Sequence, residues 1–385
     1  MGPPIFVGSA FVAQYPEGGG NFWVPAQYVL GLRELGYEAY WLEHCWTQGD
    51  PVTDRRCIDT FLQHTRAVGA EAWTIVVYSP ENRRDDPAGR VELYGAAATA
   101  LADRRRDGLL LNLAHSVTRP FRDGFARTAL FDLDPGTFQL WAHEWEMGVG
   151  SHDAYLTIGM HLGAADSPIP LHGIAWQRQW PLVHLPSWPP QPVAAAGRAY
   201  STVTQWWSQQ YAFLDGDEYD CNKRTSFMEY LEVPQRAGVP VTIAANLHVT
   251  ETDDRAALAA HGWTLVDPHT ACGSPALFRQ FVQTARGEFS CAKPAYVKAC
   301  AGWISDRTLC YLASGRPCVV QATSAETYLP MNAGLGFFAT VAEAVEGLHA
   351  IERDYPTAAR AARTLAEEVF STRVGLPRLL AAAGV

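Results

Sequence analysis

A chain of 385 residues has room for two domains of roughly 100–200 residues each, which excludes a disulfide-stapled mini-protein. Apolar residues make up 48% and charged residues 18%, mean hydropathy is −0.10, and no stretch approaches the roughly 18 uninterrupted apolar residues of a membrane helix, so a soluble globular protein is expected. With a net charge of −10 and a pI near 5.6 there is no basic field for nucleic acid, and any phosphate must be held locally.

The chain starts with Pro4-Ile5-Phe6-Val7-Gly8, a short apolar strand. A loop with Glu17-Gly18-Gly19-Gly20-Asn21 follows, then a helix that stops at Gly36, then a second strand from Tyr37 to Leu42. One βαβ unit with a parallel sheet is implied. The runs 72–78, 108–112 and 128–132 are continuously apolar, as strands buried on both faces are, and 155–159 is a further candidate. Leu185-Pro186-Ser187-Trp188-Pro189-Pro190-Gln191-Pro192 can form neither a helix nor a central strand and reads as a flexible linker. Strand and helix signals restart at 200–204, 239–244, 263–266 and 317–321, and helical spacing runs from about Thr340 to Phe370. The expected architecture is α/β: a first Rossmann-like, doubly wound domain over 1–185, a Pro-rich linker over 186–199, a second such domain over 200–370, and a tail or helix over 371–385.

Eight cysteines form no C-x-x-C pair and no zinc-type cluster, so inert thiols are expected. Met1 is followed by Gly-Pro-Pro and a strand-like run, without a basic n-region or an apolar h-region, which points to the cytoplasm.

In doubly wound domains ligands sit at the carboxyl ends of strands, so two of them facing each other place the site in the cleft between. In the second half, Ser305 or Asp306 caps a helix that begins beside Arg307, and the free N–H groups of such a helix start suit a diphosphate. An ordinary capped helix is the competing reading. Only three of the 30 basic residues are lysines, Lys223, Lys293 and Lys298. Where arginine serves every general need for a cation, the surviving lysines mark places for a compact ammonium, and Lys223 and Lys293 lie in polar loops of the second half. In the first half the loop of Gly19, Gly20 and Asn21 would let backbone approach a sugar or phosphate, although it is not G-x-G-x-x-G and is followed only by a lone Glu43. Glu17 and Asp134, in loops after strands, and His152 in reserve are the candidate general bases, and His115 ends another apolar run near the cleft. Each also has a structural reading: solvated carboxylate, Asx-turn, or hydrogen-bonded histidine.

The stretch from Gly302 to Pro330, with Ala313-Ser314-Gly315-Arg316-Pro317-Cys318-Val319-Val320, resembles the donor site of GT-B glycosyltransferases. Gly287–Lys293, Trp303–Arg307 and Asp132–Gly136 more narrowly resemble a bacterial glycosyltransferase-like family of natural-product pathways. The resemblance implies a hexose-transferring enzyme. Its N-terminal domain would bind a small-molecule acceptor such as a natural product or glycopeptide antibiotic. Its C-terminal domain would bind a nucleotide-sugar (UDP, GDP or dTDP) as co-substrate, with no other cofactor and no metal. Lys223, Lys293, Ser305, Asp306 and Arg307 would hold the donor. Where many GT-B enzymes carry a ribose-binding Glu, this chain has Cys310, which leaves Asp306 or Glu326 for that task. The pair Asp132-x-Asp134 keeps a metal-using variant open. A nucleotide-sugar epimerase of the same fold and a catalytically inert nucleotide-sugar-binding protein are the alternatives.

Overall fold

Continuous apolar runs become buried parallel strands. In the computed structural model, which describes residues 2–81, 89–145, 147–208 and 210–385, the first sheet holds eight strands. In chain order these are β1 (Ile5–Ser9), β2 (Ala39–Trp46), β3 (Thr74–Ser79), β4 (Glu92–Tyr94), β5 (Leu109–Leu113), β6 (Arg127–Asp132), β7 (Ala154–Thr157) and β8 (Gln177–Arg178). Their spatial order is β4-β3-β2-β1-β5-β6-β7-β8, parallel except for the edge strand β4. Ile5, Phe6 and Val7 in β1 and Leu109, Leu110 and Leu111 in β5 are fully buried, because helices cover both faces.

The second sheet contains β9 (Tyr200–Thr204), β12 (Val241–Ala245), β13 (Trp263–Val266), β14 (Glu288–Ser290), β15 (Cys318–Gln321) and β16 (Leu335–Phe338), all parallel, in the order β13-β12-β9-β14-β15-β16. Between β9 and the next helix lies an antiparallel hairpin, β10 (Tyr211–Leu214) with β11 (Asp217–Asp220). Two doubly wound α/β units are thus present, as the sequence leads one to expect. Strands β4, β8, β14, β16 and the hairpin were not anticipated.

Within the proline-rich segment expected to be a linker, Trp188 docks on the core while Pro189, Pro190 and residues 192–195 are exposed. Trp188 is fully buried, its ring 5.0 Å from that of Trp23 and 6.1 Å from that of Phe278. Gln191 N–H donates to the Ser314 carbonyl. The last helix, Thr372–Ala383, returns to the first unit: Gly31 of the helix Gly19–Glu34 abuts Thr372, Gly375 abuts Leu182, and Arg127 Nε donates to the Ala383 carbonyl. One apolar cluster therefore runs from the first sheet through Trp23, Trp188 and Phe278 to the helix Asp306–Ala313. Burial of this kind, at about 25 cal/mol per Å² of apolar surface, joins the two units into one core.

Candidate functional site

A cleft of about 670 Å³ opens between the two sheets. It collects the carboxyl ends of β9, β12 and β14 through Thr204, Asn246 and Lys293, and faces the loop after β1 through Tyr15, Glu17 and Gly18–Asn21. That loop is shaped by Glu43, the lone acid of β2. Its fully buried carboxylate accepts from the backbone N–H of Val12 (2.7 Å) and Ala13 (2.9 Å) and from the hydroxyl of Ser9.

The glycines of the loop have a packing reason that their sequence does not announce. A Cβ on Gly19 would stand 2.3 Å from the carbonyl oxygens of Cys272 and Ser274, and one on Gly20 would stand 2.9 Å from the Phe278 ring. Their bare backbones let the start of the helix Gly19–Glu34 dock on the second unit. Trp23 Nε1 completes that contact by donating to the Pro275 carbonyl.

Lys223 begins the helix Lys223–Glu229 and lines the cleft. Its Nζ lies 5.5 Å from the centre of the Trp303 ring, and no carboxylate among the described residues pairs with it. Burial first, and then the charges of Arg307 and Lys293, push its ammonium down to about 7, with Glu288 opposing. An ammonium in this setting is stabilised by an arriving anion. The helix Asp306–Ala313 starts in the same cleft, with Ser305 as its N-cap accepting from Arg307 N–H at 3.3 Å, so the positive end of its dipole faces the space beside Lys223.

Several expected residues have other employment. Arg307 lines the cleft, but its Nε donates to Glu288 Oε1 at 2.6 Å, its Nη1 to the Val203 carbonyl at 2.6 Å, and its Nη2 to Ser290. Glu288 is fully buried, so Arg307 is first its counter-ion. Asp134 is not a free base. Lys293 Nζ meets its Oδ1 at 3.1 Å, and the Tyr296 hydroxyl donates to the same oxygen. Burial opposes its ionisation, but Lys293, Tyr296 and Lys223 outweigh that and hold the carboxyl below its usual range. Asp132 is enclosed by Gln139, Thr157 and the N–H of Asp134, and burial lifts it to about 6.

His152 lies outside the cleft lining. Its ring nitrogens face Asn112 Nδ2 (3.1 Å) and the Val149 carbonyl (3.1 Å), and burial pushes it down to about 4. His115 packs its ring against His152 at 5.6 Å, also away from the lining. Glu326 sits in the turn Ala325–Tyr328, likewise outside the lining. Of the three candidate bases, Glu17 alone lines the cleft. Tyr296 and Trp303 were missed: each acts on a charge distant in sequence, which leaves no local signal. All eight cysteines are free thiols, and among the described residues no group of three or more His, Cys, Asp or Glu is arranged to hold a metal. Among them, too, no helix is long and apolar enough to cross a membrane.

No protein-family model matches the sequence, and no curated protein matches it. The structure is similar to that of Anabaena HepE in complex with UDP (TM-score 0.54, 9% identity, 99% of each chain covered). It is also similar to an alpha-glucosyltransferase in complex with UDP and a 13-mer DNA containing a HMU base (TM-score 0.56, 9% identity, 100% of each chain). A third similar structure is the pneumococcal O-GlcNAc transferase GtfA in complex with UDP and GlcNAc (TM-score 0.55, 7% identity, 100% of this chain and 99% of that one). At these identities the likeness is one of fold: the chain has the two Rossmann-like domains of the GT-B architecture.

Proposed function

We propose that the protein transfers a hexose from a nucleotide-sugar to a small-molecule hydroxyl acceptor in this cleft. The observation that carries the reading is Lys223, a half-buried ammonium without a carboxylate partner among the described residues, in the same cleft as a helix N-terminus at the carboxyl ends of the second sheet. A diphosphate supplies the missing counter-charge. When the glycosidic bond to the sugar breaks, negative charge builds on that diphosphate, and Lys223, Lys293 and the first-turn N–H groups of the helix Asp306–Ala313 are already in place to receive it. The second unit then binds the donor, and the first presents the acceptor along Glu17–Asn21, with Glu17 placed to take the acceptor proton if configuration inverts. The solved structures of the same fold that hold UDP support the donor class, and the sequence resemblance to natural-product enzymes supports a small acceptor.

The test is to incubate the protein with UDP-, GDP- and dTDP-hexoses, with and without hydroxylated acceptors, and to follow nucleoside diphosphate release and product mass. Release that depends on an acceptor supports transfer. Epimer formation without acceptor supports the epimerase reading, and tight binding without turnover supports an inert binder.

A further inference from the structure

Trp206 and Trp207 stand side by side in the chain after β9 and meet opposite fates. Trp206 is fully buried, and its Nε1 donates to Asp254 at 2.8 Å. Trp207 stays 47% exposed and packs in none of the apolar clusters of the described residues, yet its ring is held in place. Its Nε1 donates to Glu251 Oε1, and the other oxygen of that carboxylate accepts from His248 N–H at 2.6 Å. The Arg224 guanidinium stands over the ring, 5.1 Å from its centre, and is itself fixed to Asp254 by hydrogen bonds of 2.6 and 2.7 Å. Fixing a large apolar side chain that still faces water costs rotamer entropy and returns little burial. A flat, immobilised and half-open indole is a surface on which another ring stacks.

Its neighbours indicate which ring. Gln205 and Ser208, which flank the two tryptophans in the chain, line the cleft, as do Gln210 and Asn246. The amides of Gln205, Gln210 and Asn246 are exposed, and each both donates and accepts. Arg224 and Asp254 neutralise each other, and both oxygens of Glu251 are engaged, so the platform suits a neutral partner. An apolar face with amides beside it matches a pyranose, whose C–H faces are apolar and whose hydroxyls donate and accept. Trp207 itself is at the rim, outside the lining that holds Lys223 and the helix start at Ser305, which sets the stacked ring apart from the diphosphate.

We propose that Trp207 is the stacking platform for a pyranose ring of the acceptor, so that the acceptor is itself a saccharide or a glycoside. The assignment rests on the transfer reading above and adds to it the chemical class of the acceptor.

Fluorine NMR of protein labelled with fluorotryptophan, with calorimetry on the same samples, tests it. The chain has 13 tryptophans, and the resonance missing from Trp207→Phe belongs to Trp207. UDP is titrated first, then maltose, cellobiose or lactose, with 4-nitrophenol as a planar ring that lacks pyranose hydroxyls. At least one disaccharide is expected to shift the Trp207 resonance and to bind Trp207→Ala about 10-fold or more weakly than wild type, with Trp207→Phe in between. UDP affinity is expected to be the same in all three proteins. Equal disaccharide affinity in wild type and Trp207→Ala, or binding of none of the three disaccharides, overturns the assignment while UDP binding leaves the donor reading standing. A resonance shifted by 4-nitrophenol alone overturns it as well, and a loss of UDP affinity in Trp207→Ala gives the platform to the nucleobase instead. If wild type binds neither UDP nor a disaccharide, both readings fall.

Discussion

Lys293 and Asp134 meet at 3.1 Å, Nζ to Oδ1, although they follow strands of different sheets and lie 159 residues apart. The pair sits at the edge of the cleft, partly open to solvent, with Tyr296 donating to the same carboxylate. It ties the first unit to the second beside the proposed phosphate site and takes up one of the two lysine charges there.

Asp134→Asn therefore separates two roles. As the partner of Lys293, its loss costs about 1 kcal/mol of stability, a modest figure because Asp134 is more than a third exposed, and nucleoside diphosphate affinity holds or rises as Lys293 is released. A general base would instead lower turnover about 10²–10⁴-fold. Urea denaturation together with turnover measured on the same variant distinguishes the outcomes.

Arg307→Ala is expected to act on folding before it acts on binding. It leaves Glu288, which is 0% exposed, without its counter-ion, and breaking a buried pair in this way costs about 3–5 kcal/mol. Chemical denaturation should show that loss in the absence of any ligand. A variant as stable as wild type would show that Arg307 is not the counter-ion on which Glu288 depends.

Lys223 predicts a pH signature with a definite sign. Its folded value of about 7 lies below the 10.5 of a free lysine, so between these the unfolded chain holds more protons, and this group makes stability rise with pH across that window. Lys223→Met removes the rise and is more stable than wild type below pH 7. The difference between the two proteins in urea midpoints from pH 6 to pH 10 reads this directly.

Asp306 gives the opposite slope. Burial first, reinforced by Asp134, raises it from 3.8 to about 7, so the folded protein holds the extra proton, and stability falls as pH rises through that window. Asp306→Asn should match wild type near pH 4 and exceed it at pH 8. Equal stability at pH 8 would mean that the carboxyl is not desolvated in the free protein.

The parts of the fold legible in the sequence were those written locally. Runs such as Leu109-Leu110-Leu111 became buried strands, the Ser305 cap is present, and Lys223 and Lys293 both line the cleft. Strand β14 escaped because it is three residues long and begins with a glutamate whose partner, Arg307, comes 19 positions later. The tasks of Asp134 and Trp188 escaped for the same reason: Lys293, Tyr296 and Phe278 reach them only once both units have docked. Gly19 lines the cleft, and its bare backbone has a second reason that local sequence does not carry, the close approach of the Cys272 and Ser274 carbonyls.

The most direct test of the central claim is a thermal-shift and calorimetry panel of UDP, GDP, dTDP and ADP against wild type and Lys223→Met. Ligand at 100 times its dissociation constant stabilises by about 2.7 kcal/mol, enough to read as a clear shift in Tm. At least one nucleotide is expected to raise the wild-type Tm. Lys223→Met is expected to start from a higher Tm and to bind that nucleotide at least about tenfold more weakly, since a charge-assisted contact is worth about 1.5–3 kcal/mol. No shift with any nucleotide, or an equal affinity in Lys223→Met, would contradict the central claim.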